Sequence, residues 1–365
     1  MENPSLMHLL AIIDKSRRQQ ENNAISDVLG GIQEAGIQLT EVVAPPGIPG
    51  EEPRGMATSE PLIAPMPAPW FQRSRVLAGL LRDIGRPLPD VVLCMGDSAG
   101  NLAVDIADAL DCPLLAECWL SSHLKRPPVR PHLVAGYVTA SAGLASALRE
   151  RKQHELIVTV PFPVHQPSQM EDLPEAAPSI AILDSAMDHK SAKCLLDGLR
   201  GVVQEIPDLQ ICLELTKASG DPIWKYAESI GLLDRISSIS NASNLGPLVS
   251  DCTLTILASS EFASRSVVDM AMARGRVVVQ ADHPLLSEAQ RSHQCILLEP
   301  TPDNWARTIL DLLHDPDRRA KLGQAAQQHV LTRNDPDVVY STWTQLLHEV
   351  SKDITYPFAT TGTSR

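Results

Sequence analysis

Residues 253–280, TLTILASSEFASRSVVDMAMARGRVVVQ, decide the fold. Thr253–Leu257 is an apolar run of strand length. Ser259, Ser260 and Glu261 make a polar loop, Ser264–Arg274 reads as a helix stopped by Gly275, and Val277–Gln280 is the next strand. A strand, a helix and a second strand in this order predict a parallel pair joined by a crossover. The first N–H groups of a helix have no partner within it. A serine-rich, acidic loop leading into a helix is therefore a ready anion site and suits a phosphate or diphosphate.

The alternation continues outward. Leu9–Ile13, Ile37–Val43, Asp90–Cys94, CPLLAEC (112–118) and LIVTVPFPV (156–164) read as strands, and HLVAGYV (132–138) holds another. Ile25, Val28, Leu29 and Ile32 recur at helical spacing, and Arg73–Ile84 is a further helix. Ser179–Leu183, Leu209–Leu215 and Ile236–Ile239 are strands of a second half, with helices at Lys190–Gln204 and Ile223–Ile230. Asp315 before Pro316 is an N-cap followed by a first-turn proline. Strands alternating with amphipathic helices predict parallel α/β sheets. The stretch from Ala44 to Trp70 is so rich in proline that it predicts a long loop with no regular element. The composition of 166–178 is that of a linker. The expected organisation is a Rossmann-like domain over 1–165, that linker, a second such domain over 179–335, a last helix over 336–350 and a tail over 351–365. Ligands of such domains sit at the carboxyl ends of the strands.

Composition narrows the function. A net charge of −13 over 365 residues, with no long basic block, argues against nucleic acid as a partner. The seven cysteines form no CxxC pair and mostly sit in apolar runs, so they read as buried free thiols of a reducing, cytoplasmic compartment. No stretch reaches the ~20 apolar residues of a membrane span, which leaves only peripheral membrane contact open. No metal-ligand cluster, Gly-x-Ser-x-Gly motif or P-loop is found; Asp97 and Asp105 lack a metal spacing.

AMARGRVVVQAD (271–282), with DNWA (303–306) and LLHDPDRRAKLG (312–323) after it, resembles the donor-binding half of the retaining glycosyltransferases grouped as family 4, which have the GT-B fold. The resemblance covers most of the chain. It implies two Rossmann-like domains facing across a cleft, with the last helix crossing back to the first. It also implies metal-independent transfer of a hexosyl group from a nucleotide sugar to an acceptor that the sequence does not identify, with no cofactor beyond the donor.

Carried over residue by residue, the resemblance implies the following roles. Lys190, in LDSAMDHKSAKCLL, matches the family lysine that contacts the donor diphosphate from the start of a helix. The family arginine five residues earlier is Ser185 here. Arg265 stands where the diphosphate is expected and can take its place, or else pair with a nearby acid. Ser264 is a donor-loop hydroxyl beside it. Glu261 and Asp269 are eight apart, like the two family acids near the transferred sugar and on the ribose, which makes Glu261 the candidate catalytic carboxylate. Aligning AMARG without a gap instead puts Phe262 and Met270 at the acidic positions, and both registers stay open. In the first half the family's glycine loop is replaced by Asp14, Lys15, Ser16 and Arg17, whose long side chains would obstruct a donor. Two family histidines are Met95 and Trp119. Glu117, Trp119 and His123 remain as candidates for the acceptor side, Trp119 either stacking on a sugar or packed in the core. These losses support an alternative, a catalytically degenerate relative that binds a nucleotide sugar or a partner without turnover. A sugar-nucleotide epimerase is a third reading.

Overall fold

The structure, a computed structural model, describes residues 7–45, 55, 57, 60–69, 71–151, 154–166, 178–183, 188–214, 222–239, 245–259, 265–285 and 295–352. The chain divides into two compact units, Met1–Pro163 with Pro336–Arg365, and Val164–Asp335.

Among the described residues the first unit is built on seven parallel strands: β1 (His8–Ile13), β2 (Gln38–Val43), β3 (Leu62–Ile63), β4 (Val91–Met95), β5 (Leu114–Glu117), β6 (Gly136–Thr139) and β7 (Ile157–Thr159). Their spatial order is β3-β2-β1-β4-β5-β6-β7. Every residue of β1 and β4 is buried. These central strands are covered on both faces, which is why HLLAII and VVLCM are nearly continuous apolar runs rather than alternating ones. Helices α1 (Lys15–Glu34), α2 (Arg73–Asp83), α3 (Gly100–Leu110) and α4 (Ala142–Glu150) supply the crossovers. The strand order reverses between β1 and β4, so the crevice of this sheet opens at their carboxyl ends.

Two expectations are corrected here. Asp14–Arg17 is not a loop. Asp14 is the N-cap of α1, its carboxylate accepting the Arg17 N–H at 2.8 Å, and Lys15 already begins the helix. The proline-rich stretch does hold one regular element, β3. It is two residues long, between Pro61 and Pro65, and lies at the sheet edge, where missing donors cost little. The following Ala64 N–H still reaches the carbonyl of Val43 at 3.0 Å.

The second unit has, among the described residues, six parallel strands: β8 (Ser179–Ile182), β9 (Gln210–Glu214), β10 (Ile236–Ile239), β11 (Leu254–Leu257), β12 (Val277–Ala281) and β13 (Ile296–Leu298). They lie in the order β10-β9-β8-β11-β12-β13, reversing between β8 and β11. The helices are α5 (His189–Glu205), α6 (Pro222–Ser229), α7 (Leu245–Asp251), α8 (Ser266–Ala273), α9 (Pro302–His314) and α10 (Pro316–Arg333). Trp305 of α9 is wholly buried in one core layer with Leu195, Leu199 and Ile211. A Cβ at Gly198 would lie 2.7 Å from the Pro302 carbonyl oxygen, so α5 and α9 pack this closely only over a glycine. Asp315 caps α10 through the Arg318 N–H at 2.8 Å. Helix α8 starts two residues later than Ser264, because Arg265 is extended (φ −128°, ψ 123°).

The last helix, α11 (Pro336–Lys352), belongs to the first unit, as the sequence leads one to expect. Its Val339, Trp343, Leu346, Leu347 and Val350 are buried in one cluster with Ile25, Val28 and Leu29 of α1. The Tyr340 hydroxyl donates to Asp27 at 2.7 Å while its ring covers Gly31. No helix among the described residues is long and apolar enough to cross a membrane.

Candidate functional site

In the second unit, β8 and β11 are adjacent at the point where the strand order reverses. The chain leaving β8 becomes α5, and the chain leaving β11 becomes α8. Both helices therefore start on the carboxyl side of the sheet. Asp188 caps α5, accepting from the N–H groups of Lys190 (3.0 Å) and Ser191 (2.9 Å) and from the Ser191 hydroxyl (2.6 Å). Lys190 itself is exposed in the first turn and its ammonium makes no ion pair among the described residues. Arg265, just ahead of α8, is buried. Its guanidinium donates through Nη2 and Nη1 to the two oxygens of Glu214 at 3.1 and 3.4 Å, and Glu214 is the last residue of β9. Of the alternatives for Arg265, the structure contains the pairing with an acid.

Asp269 lies in the first part of α8 and accepts from Asn334 Nδ2 at 3.0 Å. Asn334 is fully buried, and its carbonyl takes the Val164 N–H at 2.9 Å. Met270, one position on, lies against Gly246 of α7: a Cβ there would be 2.6 Å from the Met270 methyl carbon. The acid thus has a polar partner and the methionine an apolar seat. Glu261, Phe262, Ser264 and Ser185 lie outside the described residues.

In the first unit the carboxyl ends of β1, β4 and β5 carry a buried polar network. Arg17, wholly inaccessible to solvent, donates from Nε and Nη2 to Glu117 at 2.8 and 2.5 Å, and its Nη1 lies 3.8 Å from Glu21. The guanidinium also stacks over the rings of Trp119 (4.9 Å) and Phe162 (5.6 Å). Trp119 is only 4% exposed and meets His123 edge-on at 4.5 Å. The backbone N–H groups of Trp119 and Leu120 point at His123 Nδ1 (3.2 and 3.4 Å), so the ring hydrogen is on Nε2. That nitrogen lies 3.0 Å from Asp97 Oδ1, at an angle too bent for a hydrogen bond, which makes the contact an electrostatic one. Asp14 ties the loop after β1 to the loop after β4, accepting from Ser98 N (3.0 Å) and Ser98 Oγ (2.9 Å). Gly96, at φ +121°, is required beside it, since a Cβ would fall 2.1 Å from the Asp14 carboxyl carbon. Burial, and then the charges of Asp14, Glu117 and Asp97, push the Cys94 thiol far up, so it stays neutral.

Glu117, Trp119 and His123 are therefore brought together, with Arg17 at their centre. Asp105 is elsewhere, paired with Arg73. Among the described residues no group of three or more His, Cys, Asp or Glu side chains is placed to hold a metal. All seven cysteines are free, three of them buried and four only partly covered, which corrects the expectation of uniform burial.

No family model and no curated protein sequence matches the chain. Solved structures match it along nearly its whole length. HepE of Anabaena, in complex with UDP and glucose, has a TM-score of 0.73 at 14% identity, covering 94% of this chain and 100% of that one. Sucrose-phosphate synthase of Thermosynechococcus elongatus has a TM-score of 0.73 at 13% identity, covering 94% and 98%. A protein described as a UDP-N-acetylglucosamine 2-epimerase of Listeria monocytogenes has a TM-score of 0.66 at 14% identity, covering 97% and 98%. The chain has the GT-B fold. In GT-B terms the β8/β11 edge belongs to the second Rossmann-like unit and the Arg17 network to the first.

Sequence reading missed Arg17, Glu214 and Asn334. Asp14 followed by a polar, proline-free run was the available sign of a capped helix carrying Arg17 on its first turn. Glu214 had no local sign, because its partner is 51 residues away. Asn334, ahead of Asp335-Pro336, reads as a helix stop.

Proposed function

We propose that the chain is a retaining, family 4-like glycosyltransferase that moves a hexosyl group from a nucleotide sugar to an acceptor, without a metal or other cofactor, in the cytoplasm. One observation carries the reading. The two helices that follow the adjacent strands β8 and β11 each bring a cation, Lys190 or Arg265, to the same edge of the sheet. Two cations at helix starts suit the two charges of a leaving diphosphate. The UDP and UDP-glucose in the HepE structures support the choice of donor.

In this reading Lys190 and Arg265 neutralise the diphosphate as the glycosidic bond breaks, with Ser264 as a further donor to it. Glu261 stabilises the positive charge that develops at the anomeric carbon, an interaction that is strongest in the transition state. Asp269 accepts from the ribose hydroxyls, exchanging Asn334 for them. Glu117, Trp119 and His123 serve the acceptor, their positions fixed by Arg17.

The test is thermal unfolding with UDP-, GDP- and ADP-glucose. A ligand at ~100 times its Kd adds about 2.7 kcal/mol to stability. One nucleotide sugar should raise the melting temperature, and Lys190→Ala should blunt the rise. No shift with any donor counts against the reading.

A second reading has its own support. The crevice of the first unit is occupied by the chain's own Asp14 and Arg17 side chains, in place of a glycine loop, and Arg265 is held by Glu214. A protein that binds a nucleotide sugar without turnover fits these facts. Donor binding without sugar release or transfer distinguishes it.

A further inference from the structure

The pair Glu214–Arg265 is unusual for its place. Side chains 8% and 6% exposed join the end of β9 to the start of α8. Strand β8 lies between β9 and β11, so the pair reaches across the carboxyl end of β8, beside the point where the strand order reverses. A buried ion pair gives little net stability to a fold, because desolvating two charges offsets their attraction, yet removing one partner strands the other. An arginine held there must always have an anion. If a ligand's phosphate takes the guanidinium, the carboxylate can be released without leaving the cation bare. The two-oxygen grip on Nη1 and Nη2 is also the geometry a phosphate uses.

We propose that Glu214 is a stand-in for the ligand's diphosphate, holding Arg265 in place and competing with the phosphate for it. This deepens the nucleotide-sugar reading and rests on it. Glu214 is then a positioning residue that regulates donor affinity. Its loss should tighten binding of phosphate-bearing ligands, but only while Arg265 is present. Removal of a merely structural carboxylate would weaken binding or leave it alone.

The experiment is calorimetric titration of the full chain with UDP, and with uridine as the phosphate-free control. Variants are Glu214→Gln, Arg265→Ala and the double variant. Glu214→Asp, which keeps the charge but withdraws it by one methylene, serves should Glu214→Gln fail to fold. Expected are a Kd for UDP at least ~5-fold lower in Glu214→Gln, a smaller decrease in Glu214→Asp, and a rise of at least ~10-fold in Arg265→Ala. The double variant should bind like Arg265→Ala alone, and uridine binding should not respond to Glu214. Unchanged or weaker UDP binding in both Glu214 variants, with wild type binding UDP normally, overturns the stand-in and spares the nucleotide-sugar reading. Absence of UDP binding in wild type and in both Glu214 variants overturns both. Absence in wild type with binding gained in Glu214→Gln supports the stand-in.

Discussion

Replacing Glu117 by Ala should cut the stability of the first unit by more than any surface change in it. The Arg17 side chain has no solvent access and Glu117 is 5% exposed, so the substitution takes the paired carboxylate from a desolvated guanidinium, with Glu21 farther away at 3.8 Å. Breaking a buried pair from one side costs about 3–5 kcal/mol. For a unit of this size that lowers the melting temperature by roughly 6–20 °C. Arg17→Met should cost more than Glu117→Ala, because it removes the cation from Glu117, from Glu21 and from the faces of Trp119 and Phe162. Arg17→Met with Glu117→Ala should be less damaging than the sum of the single changes, with a coupling of at least ~1 kcal/mol, because the two charges leave together. Circular dichroism melting of the four proteins measures this, with near-ultraviolet ellipticity reporting the Trp119 environment. Additive effects, or a loss under ~1 kcal/mol in Glu117→Ala, would refute the claim that a paired, desolvated arginine organises these strand ends.

Three further outcomes follow from particular contacts. Gly31→Ala should loosen α11 from α1, because a Cβ would sit 2.3 Å from the Tyr340 ring, and amide exchange in 336–352 should speed up while the second unit is unaffected. The interaction with Cys252 holds the Cys212 thiol below the ordinary cysteine range, while Cys212 and then burial push the Cys252 thiol up. Iodoacetamide should therefore label Cys212 with a midpoint below the usual ~8.5, and Cys252→Ala, by removing that neighbour, should raise the midpoint and slow labelling at pH 7. Lys190→Ala should weaken UDP binding by about 1–3 kcal/mol with no change in melting temperature of the free chain, since its side chain is exposed and makes no ion pair among the described residues.

The parallel α/β architecture was legible because its strongest signals are local. VVLCM is apolar at every position and LTIL at all but Thr255, as strands covered on both faces require, and Asp315-Pro316 announces its own helix. What escaped has physical causes. Strand β3 is two residues between prolines and exists only because Val42 and Val43 offer it partners. Helix α7 is seven residues containing Gly246 and Pro247, too short for a periodic pattern. The first half of α1, KSRRQQENNA, is polar, so no apolar period marked it as a helix and Arg17 read only as part of a replaced glycine loop. Its burial is conferred by Glu117, 100 residues on. The Lys190 position was legible as the start of a helix after a strand. The engagement of Arg265 by Glu214 and of Asp269 by Asn334 was not, because partners set by tertiary packing leave no spacing to read.

If this chain turns over a nucleotide sugar as proposed, Glu261 supplies the charge that the transition state needs. The direct measurement is release of the nucleoside diphosphate from whichever donor stabilises the protein, in wild type and in Glu261→Gln, beside their affinities for that donor. Expected are measurable release by wild type, donor affinity preserved in the variant, and turnover lower by at least ~10²-fold. No release from any donor by wild type, or equal release by wild type and Glu261→Gln, would contradict it.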